Sequence, residues 1–207
     1  MKKPLFALLL VVAVVVCFRF AKVIGAHDDK GLEATNHNTE ERLKKQVTLV
    51  KAVINDNSHY NSKVAFFIDM KIASGKNRFF IYDLKNNSII DKGLVAHGSG
   101  SETGTKGHLS FSNVNNSFAT SLGNYSIGYS YNGKFEKAYK LYGLDKTNNN
   151  AFDRNIVLHH YYDVPYKEQE DDICNSLGCP MVNKKFFSKI EKIIDDSKTN
   201  VILNIYY

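Results

Sequence analysis

The sequence predicts a mainly β protein of the α+β class, a sandwich- or barrel-like domain with one or two flanking helices over residues 60–207. From residue 58 onward, short apolar stretches alternate with turns rich in Gly, Asn and Ser, as in a sheet of short strands. The 12 Tyr and 13 Phe beside only 3 Pro favour pleated, half-buried surfaces. A chain of 207 residues accommodates one such domain plus a short extension.

The strands and helices follow from periodicity. The predicted strands are Val64–Met70, Arg78–Leu84, Ser88–Ala96, Asn124–Tyr131, Ala138–Leu144, Asn155–His160 and Val201–Tyr207. Lys85–Ser88 predicts one hairpin turn, and Asn132–Gly133 gives the strongest hairpin signal of the chain. Leu43, Val47, Val50 and Ile54 recur at helical spacing, so we expect a helix near residues 40–55 with Thr39 as its cap. Lys184–Asp195 predicts a second helix.

The N-terminus has the pattern of an export signal. Lys2 and Lys3 precede an apolar run, Leu5–Phe18, which at 14 residues is shorter than the roughly 20 needed to span a membrane. Residues 1–26 are therefore predicted to be a signal peptide cleaved after Ala26, or an uncleaved membrane anchor, followed by a polar linker and helix over residues 27–59. Both alternatives predict an exported domain that lies outside the cytoplasm.

The net charge of +6 does not indicate a nucleic-acid partner. Residues 1–26 contain four basic and no acidic residues, which leaves 23 basic against 21 acidic, or +2, in the remainder. No nucleic-acid-binding motif accompanies these charges, and the lysines around Lys44, Lys45 and Lys51 are typical of a solvated helix face.

Two cysteines remain outside the targeting segment, Cys174 and Cys179. A zinc site needs four ligands and commonly a second Cys pair, which this chain lacks, and there is no CxxC redox motif. The remaining alternatives are a disulfide between Cys174 and Cys179, with four residues between them, and a catalytic thiol.

Two segments concentrate the reactive side chains. Residues 156–160 form an apolar stretch that ends in His159 and His160, and residues 176–180 place Cys179 between a glycine and a proline. Gly178 leaves the sulfur accessible, and Pro180 fixes the direction in which the chain leaves. A histidine beside a thiol stabilises the nucleophilic thiolate. The residues alone also allow an inert buried cysteine and an ordinary hydrogen-bonding histidine.

His159 is followed by sixteen intervening residues and then by Ser176-x-Gly178-Cys179. This arrangement resembles the signature of the L,D-transpeptidase (YkuD-type) catalytic-domain family, in its Gly-Cys-Pro branch. Further segments that match that branch are Val95–Gly98, Phe111–Asn113, Ser121–Tyr125, Leu141–Asp145 and Arg154–His159. The similarity covers about residues 64–207. Leu177 stands where the main family has a histidine, and the usual arginine after the cysteine is missing.

The resemblance implies acyl transfer on peptidoglycan stem peptides by a Cys179 thioester, either to an amine (transpeptidase) or to water (carboxypeptidase). It implies His159 as the base, the His160 carbonyl as the group that orients it, and backbone N–H groups near Gly178 and Cys179 as oxyanion donors. Ser176 supports the His159 loop in this interpretation. Residues expected at the substrate cleft are His97, Asn113, Ser121 and Arg154, with a surface ion pair to Asp145 or Asp153 as the alternative for Arg154. No metal or organic cofactor is implied.

Two rival hypotheses stay open at this point. One is a different thiol peptidase that uses the same Cys–His pair. The other is a non-catalytic module of the cell envelope in which Cys174 and Cys179 form a disulfide.

Overall fold

The computed structural model describes residues 37–134 and 136–207 of the chain. The predicted signal or anchor at residues 1–26 and the linker to residue 36 lie outside this described part. Residue contacts divide the chain into a unit that ends at Arg42 and a unit that extends from Leu43 to Tyr207. Among the described residues, no helix combines the length and the apolar character needed to cross a membrane.

Nine strands form one mixed sheet, which confirms the predicted mainly β class. The strands are β1 (Val64–Asp69), β2 (Phe79–Asp83), β3 (Ser88–Gly93), β4 (Val95–Ala96), β5 (Gly123–Gly133), β6 (Glu136–Gly143), β7 (Val157–His160), β8 (Met181–Val182) and β9 (Ile202–Tyr206). Their order across the sheet is β3-β2-β1-β9-β5-β6-β7-β8-β4. The β1/β9 and β7/β8 pairs are parallel and the others are antiparallel.

Two helices cover the sheet: α1, described over residues 37–55, and α2 (Lys184–Asp195), which has the predicted bounds. Asn183 caps α2 by accepting a hydrogen bond from the Lys185 N–H. The prediction of Thr39 as the cap of α1 was wrong, because Thr39 lies inside the helix, where its hydroxyl accepts a hydrogen bond from Arg42 at 3.1 Å.

Strand β1 is apolar along most of its length because both of its faces are covered. Phe66 and Ile68 point into the main core with Phe186, Phe187 and Ile190 of α2. Ala65 and Phe67 point to the other face, into a second core that contains Leu43, Val47, Val50 and Ile54 of α1. A strand with two buried faces needs a continuous apolar run rather than alternation, which is the pattern that the sequence has here.

The two reactive segments lie next to each other because of two short strands that sequence patterns did not predict as separate elements. The predicted strand Ser88–Ala96 divides at Leu94 into β3 and β4, and β8 follows directly after Pro180. β8 pairs with β7 on one side and with β4 on the other. It thereby joins the histidine strand to the segment that contains His97.

The long hairpin β5–β6 corrects the predicted turn. Asn132 and Gly133 pair with Lys137 and Glu136, so the chain reverses after Gly133 rather than at Asn132–Gly133. A register shift between Ile127 and Ser130 places one extra residue in β5.

The contact of α2 with the sheet predicts a large stability effect at Ile190. This residue has no exposed surface, whereas Ile90 of β3 is 53% exposed. We expect Ile190→Ala to lower the free energy of unfolding by about 2–5 kcal/mol because it removes a buried side chain and leaves a cavity. The matched change Ile90→Ala should alter it by no more than about 0.5 kcal/mol. Urea unfolding of both variants measures the difference, and equal effects would contradict the packing described.

Candidate active site

The register between β7 and β8 brings His159 and Cys179 to the same site. His159 pairs with Met181, and the His159 N–H donates to the Pro180 carbonyl at 3.4 Å. Cys179 precedes Pro180 directly and lies beside Val157, the first residue of β7. Both residues line one cavity of about 790 Å³. The structure thus brings together two residues that have nineteen residues between them in the sequence.

His159 is held in one tautomer. Its Nδ1 lies 2.9 Å from the His160 carbonyl oxygen, and its ring is buried. A carbonyl only accepts hydrogen bonds, so Nδ1 carries the proton and Nε2 is the nitrogen that carries the basic lone pair. His160 contributes this carbonyl, while its own ring points away, packs on Phe187 with centroids 5.7 Å apart and lies 3.4 Å from the Glu136 carboxylate.

The Cys179 sulfur lies over the backbone of the segment that leads into β7. The Val157 N–H donates to Sγ at 3.4 Å, and the thiol faces the Asn155 carbonyl oxygen at 3.8 Å. Burial raises the pKa of Cys179 above its ordinary value of 9.0, against the opposing effects of the Val157 hydrogen bond and the positive charges of Arg154 and Lys140. Burial also lowers the pKa of His159 below its ordinary value of 6.5. Both shifts favour the neutral thiol and the neutral imidazole at neutral pH.

Residues 176–180 form a loop that contains the predicted nucleophile, Cys179, and we name it the nucleophile loop. Its shape depends on Gly178 and Ser176. Gly178 has φ +115°, a conformation that residues with a side chain rarely adopt. Ser176 closes the loop, because its hydroxyl accepts a hydrogen bond from the Gly178 N–H at 3.1 Å. Ser176 therefore shapes the loop that presents Cys179, and its support of the His159 segment stays a prediction.

The nucleophile loop is held against residues 97–99. The Ser176 N–H donates to the His97 carbonyl, and the Ser99 N–H donates to the Ser176 carbonyl, both at 2.8 Å. A Cβ on Gly98 would lie 2.9 Å from both the N and the Cα of Gly178. The two backbones thus touch at a pair of glycines, and a side chain at Gly98 would collide even more closely with the Phe118 carbonyl oxygen, so only glycine fits there.

The geometry of the nucleophile loop reduces the number of backbone N–H groups that could act as oxyanion donors. The Gly178 N–H is already hydrogen-bonded to Ser176, so this part of the prediction does not fit the resting structure. The Cys179 N–H has no acceptor among residues 37–134 and 136–207, which leaves it available to a substrate oxygen.

Arg154 holds the segment in front of the nucleophile loop. Its guanidinium donates to the Ser112 carbonyl at 2.9 Å and to the Ala119 carbonyl at 2.6 Å. It also donates to the hydroxyls of Ser121 and Ser117 at 3.1 and 3.2 Å. Neither alternative partner that the sequence suggested, Asp145 or Asp153, forms an ion pair with it among the described residues.

Three other residues that were predicted to line the cleft also form internal hydrogen bonds. Ser121 is buried and shares a hydrogen bond with the Tyr125 hydroxyl at 2.8 Å. The Asn113 amide binds the Asn149 side chain at 2.7 Å and the Lys146 carbonyl at 3.3 Å. His97 lies between Arg78 at 2.8 Å and Glu102 at 2.7 Å, beside a second cavity of about 390 Å³. None of these residues lines the cavity of Cys179, so their contact with a substrate stays a prediction.

Sequence reasoning missed most of the side chains that line this cavity. They are Lys134, Glu136, Tyr161, Tyr162, Asn175, Leu177, Met181 and Lys184. Tyr162 and Leu177 are strongly exposed, at 79% and 69%. Tyr162 closely follows His160, and Leu177 directly precedes Gly178. These positions could have indicated that both residues line the cavity, since residues adjacent to reactive groups lie at the same cavity.

The disulfide alternative was wrong. Cys174 and Cys179 are both free, and they belong to different parts of the core. Cys179 packs against the main core, whereas Cys174 packs with Tyr161 against the small cluster that contains Val164 and Ile173.

Comparisons with known proteins assign the chain to a family. A family model described as the L,D-transpeptidase catalytic domain matches residues 31–206. The chain therefore belongs to the L,D-transpeptidase catalytic-domain family. A comparison with curated proteins finds no match.

Several solved structures are similar to this chain at low sequence identity. An L,D-transpeptidase from Mycobacterium smegmatis is 9% identical with a TM-score of 0.41, over 70% of this chain and 59% of that chain. One from Xylanimonas cellulosilytica is 12% identical with a TM-score of 0.36, over 70% and 61%. A helical cell shape determining protein from Campylobacter jejuni is 14% identical with a TM-score of 0.43, over 69% and 47%. The chain thus matches only about half to three fifths of the length of these proteins.

The neutral resting pair predicts how Cys179 reacts with an alkylating agent. Because burial holds the thiol pKa above 9.0, the thiolate fraction should rise about tenfold per pH unit up to that pKa. We expect the rate of iodoacetamide labelling to increase throughout this range. Peptide mapping of a Cys174→Ser variant measures labelling of Cys179 alone. A plateau already reached at neutral pH would instead indicate a preformed thiolate–imidazolium pair.

The backbone of Gly178 predicts a second effect. We expect Gly178→Ala to cost about 1–2 kcal/mol in backbone strain and to displace the sulfur, because the new Cβ would lie 3.1 Å from the Ala119 carbonyl oxygen. Gly104→Ala is the matched control, since Gly104 also has a positive φ, of +77°, but nothing within 4 Å of an added methyl. Slower labelling of Cys179 in the first variant only is the expected result, and equal labelling rates would contradict it.

Proposed function

We propose that this protein transfers acyl groups on peptidoglycan stem peptides, with Cys179 as nucleophile and His159 as its base. The observation that carries the proposal is the joint placement of the two residues. The parallel register fixes His159 beside the nucleophile loop, and the His160 carbonyl directs the lone pair of Nε2 outward. Membership in the family supports the same reaction class.

In the first step, His159 Nε2 accepts the thiol proton while Sγ attacks the carbonyl carbon between an L-centre and the terminal D-residue. A neutral thiol and a neutral imidazole suit this step, because the proton can move from sulfur to Nε2 while the sulfur bonds to the carbonyl carbon. The Cys179 N–H is the donor available to the oxygen that becomes negative.

In the second step, the protonated His159 gives its proton to the leaving amine, and the terminal D-amino acid departs from a Cys179 thioester. His159, now neutral again, accepts a proton from the incoming nucleophile. An amine from a neighbouring stem gives a crosslink, and water gives a shortened stem. Both products follow from one intermediate.

The proposal includes an envelope location, because the predicted export signal at residues 1–26 and a peptidoglycan substrate require the same compartment. A membrane contact belongs to the proposal only through the N-terminal segment, and only if that segment stays uncleaved.

The test is mass spectrometry of purified muropeptides after incubation with the protein. We expect loss of a terminal D-residue or a new dimer, together with a thioester mass on the protein. Cys179→Ala should remove all three signals, and His159→Gln should slow product formation by about 10²- to 10⁴-fold.

Cys174→Ala is the matched control, because it removes the other free thiol of the domain and leaves the Cys–His pair intact. Its activity should equal that of the unchanged protein. Unchanged muropeptides with every variant, or activity that survives Cys179→Ala, would exclude the proposed reaction.

A further inference from the structure

Lys140 lies on the same face of the sheet as the proposed base. β6 pairs with β7 so that Ala138 is opposite His159 and Lys140 is opposite Val157. Side chains of directly paired residues share a face, and those two positions apart along a strand do as well. Lys140 and His159 are therefore diagonal neighbours on this face. The backbone of Val157 lies between them, and its N–H donates to the Cys179 sulfur.

The ammonium of Lys140 is held in place by three neighbours. Nζ donates to the Asn155 side-chain oxygen at 2.9 Å. It also lies over the ring of Phe152 at 5.1 Å and the ring of Tyr131 at 5.9 Å, both within cation–π range. A lysine on an open strand is usually free to rotate, whereas these contacts restrict its position.

The same asparagine connects Lys140 to the nucleophile. The Asn155 carbonyl faces the Cys179 sulfur at 3.8 Å while its side chain holds the ammonium. Asn155 has φ +56°, an uncommon conformation for a residue other than glycine, and this conformation lets one residue serve both groups.

Lys140 also differs from its neighbours in having no counter-anion. On the same strand, Lys137 pairs with Glu191 and Asp195, and at the cavity rim Lys184 pairs with Glu136. Within the described ranges, no carboxylate lies at ion-pair distance from the Lys140 ammonium. A fixed cation beside a nucleophile, with amide and aromatic neighbours but no anion, is suited to bind an anion from the substrate.

We propose that Lys140 binds the free α-carboxylate of the terminal D-residue of the donor stem. The inference rests on the proposed function, in which that residue is the leaving group. Its α-carboxylate is attached to the carbon next to the scissile nitrogen, so it must lie close to the attacked carbonyl. Binding by Lys140 would hold the scissile bond over Cys179 and select stems that end at this residue over longer or capped ones.

The test compares two substrates in four proteins. The substrates are a synthetic stem tetrapeptide with a free terminal carboxylate and the same peptide as its C-terminal carboxamide. The proteins are the unchanged chain, Lys140→Met, Lys140→Arg and Lys189→Met. Neither lysine lines the Cys179 cavity. Lys189 is the matched control, because its exposed ammonium pairs with Asp91 and, unlike that of Lys140, is not among the charges that act on the Cys179 thiol. Thioester formation and release of the D-residue are measured as kcat/KM.

We expect the unchanged protein to prefer the carboxylate by about 10- to 100-fold, the usual effect of one charge-assisted hydrogen bond. Lys140→Met should bring the ratio close to one, mainly by losing rate on the carboxylate. Lys140→Arg should retain most of the preference because it keeps the charge, and Lys189→Met should leave the ratio unchanged.

Two results would overturn the inference. One is a preference that survives in Lys140→Met. The other is an equal loss on both substrates, which would mean that the ammonium acts only on the Cys179 thiol. Failure of the proposed function is distinguishable, because then neither substrate forms a thioester with the unchanged protein. A variant that misfolds is recognised because its urea midpoint is lower than that of Lys189→Met. If Lys140→Met misfolds, the substrate preference of Lys140→Arg decides the question.

Discussion

The active site depends on the contact between two glycine backbones, Gly98 and Gly178. Their approach, with an added Cβ only 2.9 Å from the opposite chain, lets residues 97–99 and the nucleophile loop share two hydrogen bonds through Ser176. Gly178 has a positive φ, and the following Cys179 reaches Val157, the first residue of β7. A side chain at Gly98 would push against the backbone of Gly178, and one at Gly178 would push against the Ala119 carbonyl and Ile156. The chemistry therefore rests on two residues that have no reactive group.

The rest of the fold keeps this contact rigid. β7 and β8 belong to a nine-stranded sheet whose strand β1 is buried on both faces, by α2 on one and by α1 on the other. Arg154 adds a local support, since its four hydrogen bonds hold residues 112–121 in front of the nucleophile loop. Sites on packed strands are positioned more tightly than sites on free loops. The loop that presents the thiol is short and is hydrogen-bonded to residues 97–99, so it takes part in this rigidity.

The sequence was informative where local pattern decides the outcome. Helical spacing predicted the bounds of α2. Prediction failed where tertiary contacts decide. No local sequence pattern shows whether Arg154 binds a substrate or donates hydrogen bonds to two backbone carbonyls, as it does in the structure. The hairpin turn was misplaced because Asn132 and Gly133, although they are turn-forming residue types, continue the strand pairing with Lys137 and Glu136. Lys140 belongs to no motif, since only strand pairing places it beside His159.

The electrostatics of the site follow from its burial. The pKa of the half-buried Cys179 thiol is raised and the pKa of His159 is lowered, so both shifts favour the uncharged forms. In the proposed reaction, charge forms only when a carbonyl carbon is close enough for the sulfur to bond to it, and the charge then moves onto the substrate oxygen. Such a reaction depends more on the position of the substrate than on the intrinsic acidity of the thiol. In the role proposed for Lys140, the cation acts mainly through the carboxylate that it holds, because its effect on the pKa of the thiol is outweighed by burial.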